Sequence, residues 1–161
     1  MKKSIWLLLI CLCTASTAVA QEIKEAILER IGSNYQEIIE KNGKPLTEHY
    51  IEKEGYFTST RWLFYTGMRI QFSQIGKGEE FLSRIYIYDP ELVFLDIVGV
   101  GKRIDPAVEK IGPENRRSMD HNLGFYYERY ARSDPYYLQI HCTAERIITE
   151  IYYENTRYWS Q

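Results

Sequence analysis

The sequence predicts an α+β fold built from two tandem repeats. Each repeat is a short capped helical segment followed by an antiparallel β-meander, and the two sheets share one core. Three observations carry this. A short phrase from Ile31 to Pro45 returns 69 residues later, from Val100 to Glu114. Strand-like runs follow each copy at matching distances. The chain also opens with an export signal, which sets that segment apart from the fold.

The first helix is expected over Glu22 to Arg30, with Ile23, Ala26, Ile27 and Ile31 on one stripe. Gly32 breaks it. Asn34 then suits an N-cap, Glu37 stands three residues later as its capping-box partner, and Ile38 and Ile39 form the buried side. Gly43 fits the C′ position and Pro45 forbids a return to helix. The second copy follows the same logic with other residues. Asp105 caps, Pro106 takes the first helical position, and Ala107, Val108 and Ile111 supply the apolar side before Gly112 and Pro113. Both copies separate their glycines by eleven residues.

Three strand-like runs follow the first phrase: Arg61–Thr66, Met68–Phe72 and Phe81–Tyr88. Three more follow the second: Phe125–Tyr130, Leu138–Cys142 and Arg146–Tyr153. The middle runs match at an offset of 70, Met68 with Leu138, Ile70 with Ile140, and Phe72 with Cys142. The last runs match at 66, Ile85-Tyr86 with Ile151-Tyr152, so the second hairpin loop is shorter. Neither unit is large enough to bury its apolar face alone, and side by side they can share a core. The boundaries are residues 1–20 for the signal, 21–90 for the first repeat and 91–161 for the second. Glu91–Gly101 reads as an apolar strand or buried connector between them.

This pattern resembles the beta-lactamase inhibitor protein-like superfamily, and the SmpA/OmlA-type outer-membrane assembly proteins that use one such unit. Gly32, Asn34, Glu37, Ile38 and Gly43 carry the likeness in the first copy, and Gly101, Ala107, Gly112 and Pro113 in the second. The resemblance implies a helix-plus-sheet tandem and a role in binding another protein.

Lys2 and Lys3, the apolar run Ile5–Cys13 and the Ala18-Val19-Ala20 site form a secretory signal, cleaved near Ala20-Gln21. A periplasmic or secreted location is expected. Losing Lys2 and Lys3 moves the net charge from −2 to −4. With no basic cluster, this argues against nucleic acid. No later segment is apolar enough to span a membrane. Cys142 is the single cysteine of the mature chain, which rules out an intramolecular disulfide and is read as a small core hydrophobe.

Catalytic chemistry finds little support. His141 and Cys142 are adjacent on a strand, so they point to opposite faces and cannot pair. Asp120-His121 lies in a polar run that reads as a loop. The histidines lack metal-ligand spacing, so no metal and no cofactor are expected. Fourteen tyrosines are the remaining signal. Alternation puts Tyr86, Tyr88 and Tyr152 opposite Ile85, Ile87 and Ile151, on the face away from the helices, together with Arg69 and Gln139. Two uses of these tyrosines stay open. They are cross-strand pairs that stabilise the sheet, or they are a binding surface for a protein partner. The expected function is an exported, non-catalytic binding module presenting a Tyr-rich sheet face. The alternatives are an outer-membrane assembly accessory and, of another class, a small hydrolase using His121 or Cys142.

Overall fold

A computed structural model describes residues 22–53, 57–111 and 136–155. Helix α1 covers residues 22–31, and its stripe of Ile23, Ile27 and Ile31 is fully buried. Gly32 ends it at φ 116°, where its N–H donates to the Leu28 carbonyl at 2.8 Å. A Cβ there would lie 2.8 Å from Cγ1 and the amide nitrogen of Ile38, so only glycine fits the corner. Helix α2 (Tyr35–Asn42) follows at once. Asn34 caps it, its side chain accepting from the Glu37 amide at 3.0 Å. The Glu37 carboxylate reaches back to the Ser33 amide and hydroxyl, both at 2.9 Å. These bonds hold its pKa below the ordinary carboxylate value, the Ser33 backbone bond contributing most. Gly43 closes the helix at φ 75°. The side-chain amide of Asn42 donates to the carbonyls of Ile31 and Ile38, tying the ends of α1 and α2 together.

Six strands form one sheet: β1 (Thr47–Glu52), β2 (Ser59–Tyr65), β3 (Met68–Gln74), β4 (Phe81–Ile87), β7 (Tyr136–Cys142) and β8 (Ile148–Asn155). Their spatial order is β1-β2-β3-β4-β8-β7, and every neighbouring pair is antiparallel. Where the sequence predicts two sheets over a common core, the described strands are continuous, because β4 and β8 pair directly. Strand β1 has no signature in the sequence: all six of its residues are exposed, so it leaves no buried alternation to read. The Glu91–Gly101 connector contains a small hairpin of β5 (Val93–Phe94) and β6 (Val98–Gly99). Leu95 and Asp96 turn it with φ of 50° and 60°.

Helix α3 (Asp105–Ile111) starts differently from expectation. Asp105 sits inside the first turn, while Ile104 supplies the carbonyl that receives the first amides, from Ala107 at 2.9 Å and Val108 at 3.0 Å. The Asp105 carboxylate instead bridges Arg146 at 2.6 Å and Arg103 at 2.7 Å, which depresses its pKa, Arg146 foremost. Amide bonds from Gly101 and Ile104 to the Ile148 and Arg146 carbonyls dock this segment beside β8.

The helix-side face of the sheet carries Leu63, Ile70, Phe72, Ile85, Ile87, Leu138, Ile140, Ile151 and Tyr153. All are buried in one cluster with the isoleucines of α1 and α2 and with Ile104 and Ala107. Cys142 belongs to this cluster. The β3–β4 and β7–β8 ladders have corresponding registers. Met68 pairs with Ile87 as Leu138 pairs with Tyr153, and Ile70 with Ile85 as Ile140 with Ile151. Phe72 opposes Leu82 as Cys142 opposes Ile148, after a shift at 71/72 in one ladder and 141/142 in the other. The expected signal at residues 1–20, the Phe125–Tyr130 strand, Gly112, Pro113 and His121 lie outside the described residues.

Candidate binding face

The other face of the sheet is assembled in rows, because antiparallel register places every second residue of each strand in line. One row runs Thr47, Phe64, Arg69, Tyr86, Tyr152, Gln139 across all six strands. The next runs His49, Trp62, Gln71, Arg84, Glu154. No described helix residue belongs to either row.

Aromatic rings dominate the surface. Tyr86 and Tyr152 meet across the β4–β8 seam with centroids 4.8 Å apart and planes at 46°. Trp62 lies 6.0 Å from Tyr86 and stacks on Phe64 at 6.2 Å, and Phe64 meets the His49 ring edge-on at 5.3 Å. A single aromatic band thus runs from the β1 edge to the seam. Arg69, exposed, lays its guanidinium 5.2 Å from the Tyr86 ring and 5.1 Å from the Tyr88 ring. It also donates to the Tyr88 hydroxyl, and that bond is the main cause raising the guanidinium pKa. Tyr88 lies just past β4, where its amide donates to Gly67 at 2.7 Å.

The sequence thus places Tyr86, Tyr88 and Tyr152 correctly on the face opposite Ile85, Ile87 and Ile151. The three rings are half-buried rather than open. Burial raises all three phenol pKa values, and most strongly that of Tyr152, where the Glu154 carboxylate adds to the effect. All three are neutral hydrogen-bonding groups at physiological pH. Gln139, expected to meet solvent, is buried and shares a 2.9 Å bond with the ring of His141.

The floor beneath the rings is polar. Thr60, Gln71, Ser73 and Ser83 are fully buried. Ser73 donates to Ser83 at 2.8 Å, and Ser83 to the Gln71 carbonyl at 3.0 Å. Arg84 donates to Glu154 at 3.0 Å and to the Gln71 side-chain oxygen at 3.2 Å. The Gln71 side-chain nitrogen is buried with no hydrogen-bond partner among the described residues. Trp62, Phe64 and Glu154 are residues of this face that the sequence does not single out. Their signal was parity: once Ile70 and Ile85 face the helices, the register fixes the other set.

His141 and Cys142 point to opposite sides, as expected. Nδ1 of His141 is 3.1 Å from Glu150, yet burial holds its pKa below the ordinary imidazole value, with the carboxylate only partly opposing. Cys142 is buried against the core, its sulfur 3.9 Å from the Ile140 carbonyl. Among the described residues no three His, Cys, Asp or Glu side chains converge on a possible metal position. No described helix is long and apolar enough to cross a membrane.

No protein-family model matches the chain, and no curated protein matches it. Among solved structures it is similar to an extracellular protein containing an SCP domain from Bacillus anthracis str. Ames, at 14% identity and a TM-score of 0.49. That match covers 81% of this chain but 45% of the other, so the chain spans less than half its length. It is also similar to a DUF4309 family protein from Bacillus subtilis subsp. subtilis str. 168, at 12% identity and a TM-score of 0.44, covering 88% of this chain and 97% of that one. Likeness at this level does not bear on chemistry.

Proposed function

We propose that the protein is an exported, non-catalytic binding module, periplasmic or secreted after cleavage near Ala20-Gln21. It presents the sheet face around Tyr86, Tyr88 and Tyr152 to a protein partner. The observation that carries this reading is the aromatic band on the face opposite the described helices: Trp62, Tyr86, Tyr152 and Tyr88 clustered around the exposed Arg69. Trp, Tyr and Arg are the residue types that dominate binding energy at protein interfaces. Rings already packed against one another lose little freedom on docking.

A tandem organisation with units 21–90 and 91–161 is part of the proposal, supported by the matching ladders. So is a tie to the beta-lactamase inhibitor protein-like and SmpA/OmlA-type proteins. An outer-membrane assembly accessory is the form of the same reading in which the partner is an envelope protein. The hydrolase alternative draws no support from Cys142, whose sulfur is enclosed by the core. The test is capture from an envelope or culture extract, followed by affinity measurement with Arg69→Ala and Tyr88→Ala. A loss of ~2 kcal/mol or more in binding at either position supports the face as the site. Unchanged binding by both refutes it.

A further inference from the structure

Among the described residues the sheet ends at β1, with no further strand beside it. Edge strands expose unpaired backbone groups, and proteins ordinarily blunt them with prolines, bulges, inward charges or a covering element. Among the described residues β1 has no proline and no bulge, and its only charges are Glu48 and Glu52 on the helix side. Its register with β2 runs unbroken from Thr47 to Glu52, no proline interrupts it, and all six residues are exposed. Three of the four large exposed hydrophobics among the described residues, Leu46, Tyr50 and Ile51, lie on or beside this strand.

The backbone phase says which groups are free. Phe64 and Thr58 turn their carbonyls toward this edge, accepting from Leu46 at 2.8 Å and Lys53 at 2.9 Å. Antiparallel bonding alternates along a strand. Thr47, His49 and Ile51 therefore direct their amides and carbonyls at β2, and Glu48, Tyr50 and Glu52 direct theirs outward. Side chains on the two sides of this edge differ in character. Glu48, Tyr50 and Glu52 stand on the helix side, where Arg61 is shared between Glu48 at 2.7 Å and Glu80 at 3.0 Å. Glu52 stands on the same side of the strand, so β1 itself contributes two carboxylates and no cation there. The opposite side carries Thr47, His49 and Ile51, next to Trp62 and Phe64.

The geometry points to β1 as a docking edge for an extended segment of a partner protein that alternates cationic and apolar residues. Such a segment would add a seventh strand, its cations beside Glu48 and Glu52 and its apolar residues extending the Trp62–Phe64 band. A second copy of this chain fits less well. Two-fold pairing centred on Tyr50 sets Glu48 against the other copy's Glu52 twice, and like charges placed opposite one another destabilise a strand pair.

The test is amide exchange by NMR on the labelled protein, with a blocked heptapeptide alternating lysine and valine as probe. In the free protein the Glu48, Tyr50 and Glu52 amides should exchange rapidly. Peptide at about 1 mM should slow them ~10-fold, with shifts confined to β1 and β2. The glutamate–valine peptide, and the lysine peptide N-methylated at alternate residues, should do nothing. Tyr50→Pro removes an outward N–H, which an edge strand tolerates, and should abolish the effect. Glu52→Lys, in case the proline variant fails to fold, should weaken it ~10-fold through lost and reversed charge. The inference is overturned by no protection at that concentration, by equal protection from the glutamate peptide, or by shifts centred on Tyr86 instead. It is also overturned if the outward amides are already protected and sedimentation shows a dimer, since a second copy then holds the edge.

Discussion

Removing the Tyr86 and Tyr152 rings singly and together measures the joint that makes one sheet of six strands. The two residues are direct partners at the β4–β8 seam, and their rings are 4.8 Å apart. Each is partly buried, so each loses about 1 kcal/mol or more of the 1.5–3 kcal/mol that full burial of a large apolar side chain contributes. The contact between the rings adds about 0.5–1.5 kcal/mol beyond area. Tyr86→Ala and Tyr152→Ala should therefore each cost about 1.5–2.5 kcal/mol in urea unfolding. The double variant should cost less than the sum of the two by about 0.5–1.5 kcal/mol, the coupling of the pair. The slope of unfolding free energy against urea should not change, since the folded state keeps its extent. Additivity within about 0.3 kcal/mol would show that the rings do not touch, and the seam as described would be wrong.

Four further outcomes follow from other parts of the molecule. Phe72→Ala should destabilise by ~3–5 kcal/mol in the same assay, because the ring is 2% exposed and packs edge-on against Tyr35, whereas the exposed Arg69→Ala should cost under about 1 kcal/mol. Gly32→Ala should cost more than ~2 kcal/mol, from the left-handed backbone and the collision with Ile38 together. Gln71→Met should be neutral or stabilising by up to ~1 kcal/mol, since it removes a buried donor that has no hydrogen-bond partner among the described residues, while Arg84 keeps Glu154. His141 has a lowered folded pKa, so its contribution is present above the unfolded value of about 6.5 and is lost as pH falls from there through the folded value. Melting temperature should drop over that window in the natural protein and drop less in His141→Gln.

What the sequence disclosed and what it hid have physical causes. Buried alternation was legible: Ile70, Ile85 and Ile151 with their polar neighbours set the strand faces, and so the side taken by Tyr86 and Tyr152. Punctuation was legible too, since Asn34, Gly32 and Gly43 have local reasons for their positions. β1 was not, because TEHYIE buries nothing and its strand state comes from pairing with β2. The seam was also hidden. Which strand of one half meets which of the other is a tertiary choice, and no local pattern in Phe81–Ile87 or Ile148–Asn155 states it. The half-burial of the tyrosines follows from that choice, as β8 brings Tyr152 against Tyr86. Asp105 misled because a good capping residue next to Arg103 and Arg146 makes the stronger charged bonds instead.

The most direct measurement of the binding-module account compares proteins captured from an envelope extract by the natural chain, by Arg69→Glu and by Glu52→Lys, each verified as folded. Arg69 stands exposed at the centre of the aromatic face, and reversing its charge leaves the core untouched. If that face is the site, one protein retained by the natural chain should fall at least ~10-fold in the Arg69→Glu eluate, a loss of about 1.4 kcal/mol or more. The Glu52→Lys eluate should still contain it. Identical eluates from the natural chain and Arg69→Glu would contradict the account.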